Sequence, residues 1–256
     1  MSLFERFRAG SVRNVNVWAS HRNFGRVLAE PTQFKRNVQY PEGDMHTQAG
    51  WHVTLVFNNL TELATQLERG VEVPDSFYPS DVVRRGAPPI RRGEISRLAI
   101  MVHGMQGGVA MVDGKENPNN LSVKTFESYR PILGRIGGFT KPMSTILIMG
   151  CLAGQGEPGT ELLKLLSAVW PGRIVVGFRT IGYRHPGEMT KGAPNELPGM
   201  KDTKVEDPLF WNPAKELEQR TLWAKGELPW GSEYSPHAKL VRNGVVLKCP
   251  AGEVCK

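Results

Sequence analysis

"STILIMGC", residues 144–151, decides how the chain is read. Thr145 to Met149 form an unbroken run of β-branched and apolar side chains that enters Gly150 and stops at Cys151. A run without polar alternation is the pattern of a strand buried on both faces, as in a parallel sheet. Behind it comes the small, glycine-rich "LAGQG" (152–156), then "EPGTELLKLLSAVWPG" (157–172), an amphipathic helix with proline near its start and Pro-Gly at its end. Cys151 therefore stands where a buried strand opens into a loop. It is either a small core residue or a nucleophile.

Working outward, the same unit recurs. "RIVVGFRTIGY" (173–183) is a strand after the helix, and "ISRLAIMVHG" (95–104) is a strand before it, ending at His103-Gly104. "WHVTLVFNN" (51–59) is a further strand. Asn59 and Glu62 fit a helix N-cap and capping box. Leu60, Leu63, Ala64 and Leu67 then fall on one helical face, and Gly70 ends the helix. Within 122–138, Phe126, Tyr129, Leu133 and Ile136 have helical spacing, with Pro131 expected to kink the helix or mark a second turn.

The alternation of buried strand and helix predicts an α/β fold: a three-layer sandwich around a mostly parallel central sheet. Residues 51–183 form the core, 1–50 a segment of mixed character packed on it, and 184–256 a C-terminal extension of the same domain. Residues 74–94 read as a proline-rich connector and 105–120 as loop with a short hairpin. The extension carries one expected helix at 213–227. It also carries a β-hairpin at 237–250, where Asn243-Gly244 suits a type I′ turn.

The bulk composition excludes several classes. The 256 residues carry 40% hydrophobic and 22% charged side chains, ordinary for a globular protein. No apolar run approaches the length of about 18 residues that spans a bilayer, and "MSLFERFRAGSVRNV" lacks a signal core. A cytoplasmic chain, or one delivered without a classical signal peptide, is expected. The formal charge of +7 is scattered, without a dense basic run, so it reads as solvated surface and gives no strong nucleic-acid signal. Three cysteines are too few for a disulfide scaffold; Cys249 and Cys255 in "CPAGEVCK" either pair or flank a tail. Neither they nor the isolated histidines (His21, His46, His52, His185, His237) supply a metal set, and no GxGxxG signature is present. No cofactor or metal is expected.

In an open parallel sheet, functional groups gather at the carboxyl ends of the strands. Two such ends carry reactive side chains, His103 and Cys151. A thiolate is the sulfur nucleophile, and a neighbouring imidazole activates it and protonates the leaving amine. The N–H groups of Gly104 and Cys151 are candidate oxyanion donors. Asn58, Arg179 and the 105–120 loop are substrate-binding candidates by position, with Arg179 suited to an acidic side chain. Asp113 and Glu157 lie in loops near the expected site; either is a candidate to orient His103, but solvation is the favoured reading of both. Trp211, Trp223 and Trp230 are read as packing the extension onto the core. An α/β-hydrolase elbow does not fit, because Met149 occupies a small-residue position and the histidine comes first.

"LAIMVHG" (98–104), followed by "TILIMGC" (145–151), resembles the caspase-like cysteine peptidases: caspases, gingipains, legumain-type enzymes, separase and the self-cleaving domains of large bacterial toxins. "GCLAGQGEPGTELLKLL" with "IVVGFRT" also resembles bacterial domains of this fold attached to secreted or effector proteins. The resemblance covers about residues 51–183. It implies Cys151 as nucleophile, His103 as general base and acid, Gly104 and Cys151 as oxyanion donors, and a protein or peptide substrate cleaved through a thioester. Met149-Gly150-Cys151 replaces the Gln-Ala-Cys context of caspases, so the resemblance does not extend to aspartate specificity. The alternative is a caspase-like binding or effector module without hydrolytic activity.

Overall fold

The structure, a computed structural model, describes residues 14–21, 53–71, 87–111, 120–179, 238–250 and 252–255. The expected helix at 213–227, the three tryptophans of the extension, Asp113, and His46, His52, His185 and His237 lie outside the described residues.

Seven strands form one sheet. They are β1 (Val15–His21), β2 (Val53–Phe57), β3 (Ile95–Met101), β7 (Thr140–Met149), β8 (Ile174–Phe178), β9 (Ala238–Arg242) and β10 (Val245–Lys248), in the order β10-β9-β8-β7-β3-β1-β2. The five from β8 to β2 are mutually parallel; β9 runs antiparallel to β8 and to β10. A second, three-stranded sheet joins β4 (His103–Met105), β5 (Gly108–Ala110) and β6 (Leu121–Ser122). The fold is thus mixed α/β with a mostly parallel central sheet.

Three helices are described: α1 (Leu60–Arg69), α2 (Phe126–Gly137) and α3 (Gly156–Val169). All three pack on one face of the sheet, where Val15, Val17, Leu55, Leu98, Ile100, Ile146, Ile148 and Val175 meet Leu63, Leu133 and Leu162. The other face carries its own buried cluster of Trp18, Ala99, Met101, Leu147, Val176 and Phe178. Both faces are therefore withdrawn from water, which is why the strands read as continuous apolar runs.

Local signals act as their chemistry dictates. The Asn59 side chain accepts the Glu62 N–H at 2.9 Å, and Leu60, Leu63, Ala64 and Leu67 are the buried residues of α1. The return contact falls one residue earlier than a capping box requires: the Glu62 carboxylate accepts from the backbone N–H and the side-chain amide of Asn58, at 2.8 and 2.7 Å. Pro131 sits inside α2, which continues through it to Gly137. Asn243 and Gly244 both have positive φ, 52° and 77°, and Val245 pairs with Arg242, so the hairpin turn is the primed type.

Two assignments change. Residues 15–21, expected in a segment packed on the core, form an interior strand between β3 and β2. The strand expected from Ser144 begins at Thr140. Thr140 pairs with Ile95 and Thr145 with Arg97, so residues 141–144 bulge where Pro142 offers no N–H and Met143 takes φ 65°.

Candidate active site

The carboxyl ends of the parallel strands lie along one edge. Crossing it from β8, one meets Arg179, then Cys151 beyond β7, His103 beyond β3, His21 at the end of β1 and Asn58 beyond β2. Met101 and Met149 are register partners, and the Val102 N–H reaches the Met149 carbonyl at 3.5 Å. His103 and Cys151 each follow by two residues, just beyond the paired ends of neighbouring strands.

The contact between the two strand ends is made by backbone. A Cβ placed on Gly104 would lie 2.5 Å from the Cys151 amide nitrogen and from the Gly150 carbonyl carbon, and closer still to the Cys151 carbonyl oxygen. A Cβ on Gly150 would meet Val109 Cγ1 at 2.6 Å and Gly104 Cα at 3.2 Å. Glycine at both positions lets the His103-Gly104 segment lie directly against the Gly150-Cys151 peptide. His103 then leaves the main sheet to open β4, which returns through Gln106-Gly107 into β5.

Cys151 begins a tightly held loop. The Ala153 N–H bonds to the Gly150 carbonyl at 3.3 Å, and Leu152, third residue of that turn, has φ 59°. Type II turns normally give this position to glycine; a leucine held there costs about 1–3 kcal/mol. The Gln155 N–H to Leu152 carbonyl bond (2.9 Å) and the Gly154 N–H to Phe178 carbonyl bond (2.9 Å) hold it. His103 and Cys151 are both part-exposed, the His103 Nε2 atom is shielded from solvent, and Cys151 lies outside the disulfide.

The other candidates are spread along the edge. Arg179 is next to Cys151 in strand order, and its guanidinium passes Gly252 of the C-terminal segment. Asn58 is three strand spacings from the Cys151 strand, about 14 Å. Its amide and N–H are engaged by Glu62, and its carbonyl lies 2.7 Å from Nε2 of His21. Those bonds give Asn58 a part in holding the β2–α1 turn. Glu157 lies in the first turn of α3 and lines a surface pocket of about 360 Å³ with Thr160, Glu161, Lys164 and Val254.

No family model, curated protein or solved structure matches this chain. What the edge can do rests on its own geometry: a thiol and an imidazole on adjacent strand ends, a backbone cradle of glycines beside them, and a cation one strand away.

Sequence reading overlooked two residues here. His21 is 2% exposed, packs edge-on against Phe57 at 5.4 Å and ties the end of β1 to the end of β2. Its signal was the alternation Val15, Val17, Ala19 leading up to it. Lys239 is fully buried, although its place in an alternating hairpin gave no such sign.

Proposed function

We propose that this protein is a cysteine peptidase of caspase-like type, with Cys151 as nucleophile and His103 as its general base and acid. The observation that carries the reading is the in-register ending of β3 and β7, with Gly104 laid against the Cys151 peptide. Burial of the sheet face opposite α1–α3 supports the three-layer arrangement that such a peptidase has.

In the proposed reaction His103 takes the Cys151 thiol proton, and the thiolate attacks the scissile carbonyl carbon. The carbonyl oxygen gains the charge. The Gly104 pair with Val109 follows the turn-flanking Met105–Gly108 pair, so alternation puts Gly104 at a non-hydrogen-bonded position of β4–β5. Its N–H is then directed away from β5, as an oxyanion donor requires, and the Cys151 N–H is the second donor. His103 passes its proton to the leaving amine, leaving a thioester on Cys151; water, deprotonated by His103, hydrolyses it. Arg179 would hold an acidic substrate side chain by paired hydrogen bonds.

The test is a brief iodoacetamide pulse near neutral pH, mapped to the Cys151 peptide, combined with a panel of peptides bearing acidic, basic or neutral residues before the scissile bond. Fast labelling that falls by about ten-fold or more in His103→Ala supports an activated thiolate. Cys151→Ala should fold and cleave nothing. Slow labelling indifferent to His103, with no cleavage of any peptide, would replace the peptidase by the binding module.

A further inference from the structure

We propose that the Cys249–Cys255 disulfide is a redox clamp on the Cys151/His103 pair, acting through Glu253, Lys239 and the first turn of α3. The clamp concerns regulation of the site and rests on the peptidase reading above.

Three observations meet. β10 runs parallel to the core strands, so its end delivers the disulfide ring of residues 249–255 to the same edge as Cys151. Within that ring Glu253 pairs with Lys239 at 2.7 Å; the lysine side chain is 0% exposed and the glutamate 12%. The same ammonium donates to Thr160 Oγ1 at 2.8 Å and to the Gly156 carbonyl at 3.2 Å, both within the first five residues of α3. Lys239 is therefore a buried pin between the ring and the start of a helix.

That first turn is the wall shared by both halves of the candidate site. The Cys151–Gln155 loop runs directly into Gly156, whose φ is 62°. On the other side lies the turn of the hairpin that His103 opens. A Cβ on Gly156 would meet Gln106 Nε2 at 2.9 Å, and one on Gly107 would meet Pro158 Cβ at 2.5 Å. A displacement of the α3 start therefore reaches Cys151 along the chain and His103 through contact.

The ring is open to solvent in part. Both cysteines are part-exposed, and Val254 between them is 78% exposed. A dithiol reductant attacks one sulfur through a thiolate; two electrons and two protons convert the Cys249–Cys255 bond to two thiols, and the reductant closes its own disulfide. Once the Cys249–Cys255 bond is broken, the ring no longer confines Glu253 to Lys239. An ammonium buried without its carboxylate is unfavourable, so the α3 start shifts with it.

Amide hydrogen exchange on the full chain tests the clamp, comparing oxidised protein, protein reduced with dithiothreitol and the Cys249→Ser/Cys255→Ser variant. Opening is expected to speed exchange by about ten-fold or more in residues 152–160 and 105–110, with the α2 amides unchanged. Glu253→Gln with the disulfide intact should reproduce the effect. In the same samples the ratio of wild-type to His103→Ala labelling rates at Cys151 should fall toward one on opening. Unchanged exchange in both segments, within about two-fold, overturns the clamp. Labelling that never depends on His103, beside a clear exchange response, refutes the peptidase reading and leaves the clamp standing as a coupling of ring to helix.

Discussion

Gly104→Ala is the sharpest probe of the site because the obstacle it meets is backbone on every side. Its Cβ would fall 2.5 Å from the Cys151 nitrogen and the Gly150 carbonyl carbon, where ordinary contact begins at 3.4 Å. One strand end must move by at least about 0.9 Å, and neither peptide can rotate out of the way as a side chain can. Overpacking of this kind costs about 1–3 kcal/mol. Misplacing reacting groups by about 1 Å costs on the order of 100-fold in rate. Gly150→Ala meets the buried, β-branched Val109 methyl at 2.6 Å and the Gly104 Cα at 3.2 Å, so it should cost in the same range. Gly134→Ala meets nothing within 4 Å inside α2 and should stabilise the protein by about 0.5–1 kcal/mol through helix propensity. Urea unfolding measures the ranking, and the iodoacetamide rate at Cys151 measures the displacement. If Gly104→Ala is as stable as Gly134→Ala and labels at the wild-type rate, the two strand ends do not touch and the proposed site is lost.

Asn59→Ala should cost about 1 kcal/mol in urea unfolding, since the Glu62 N–H loses its cap. Lys239→Ala should cost about 3–5 kcal/mol, the range for breaking a buried pair from one side; a loss below about 1 kcal/mol would mean that water already reaches the pair. The Arg130 guanidinium holds the Glu127 carboxyl below the usual glutamate range by donating to it. That contribution is present at neutral pH and disappears as pH falls through the depressed value. Carboxyl carbon NMR should show Glu127 titrating low, and Arg130→Ala should return it to the ordinary range.

How much of this could be read from the sequence depends on how local each cause is. The strands at 53–57, 95–101 and 174–178, the cap at Asn59, the buried face of α1 and the Asn243-Gly244 turn are determined within a few residues of themselves, and each forms where expected. β1 is different. Asn16, Ser20 and His21 interrupt its apolar character, so the segment looked mixed, although Val15, Val17 and Ala19 keep the two-residue period that faces the helices. What makes it an interior strand is its pairing with β3 and β2, whose residues lie far along the chain.

Lys239 makes the same point more severely. In "HAKLVRNGVV" it takes the place of a solvated hairpin residue, and local pattern can assign it nothing else. It is buried because three acceptors from other segments converge on it: a helix-start carbonyl, a threonine hydroxyl and a carboxylate held in a disulfide ring. A buried charge persists only where such partners are assembled around it. A buried residue such as Lys239 is thus less visible in sequence than the proposed catalytic pair. His103 and Cys151 announce themselves at the ends of apolar runs, whereas the environment of Lys239 exists only once the ring, the hairpin and α3 have come together.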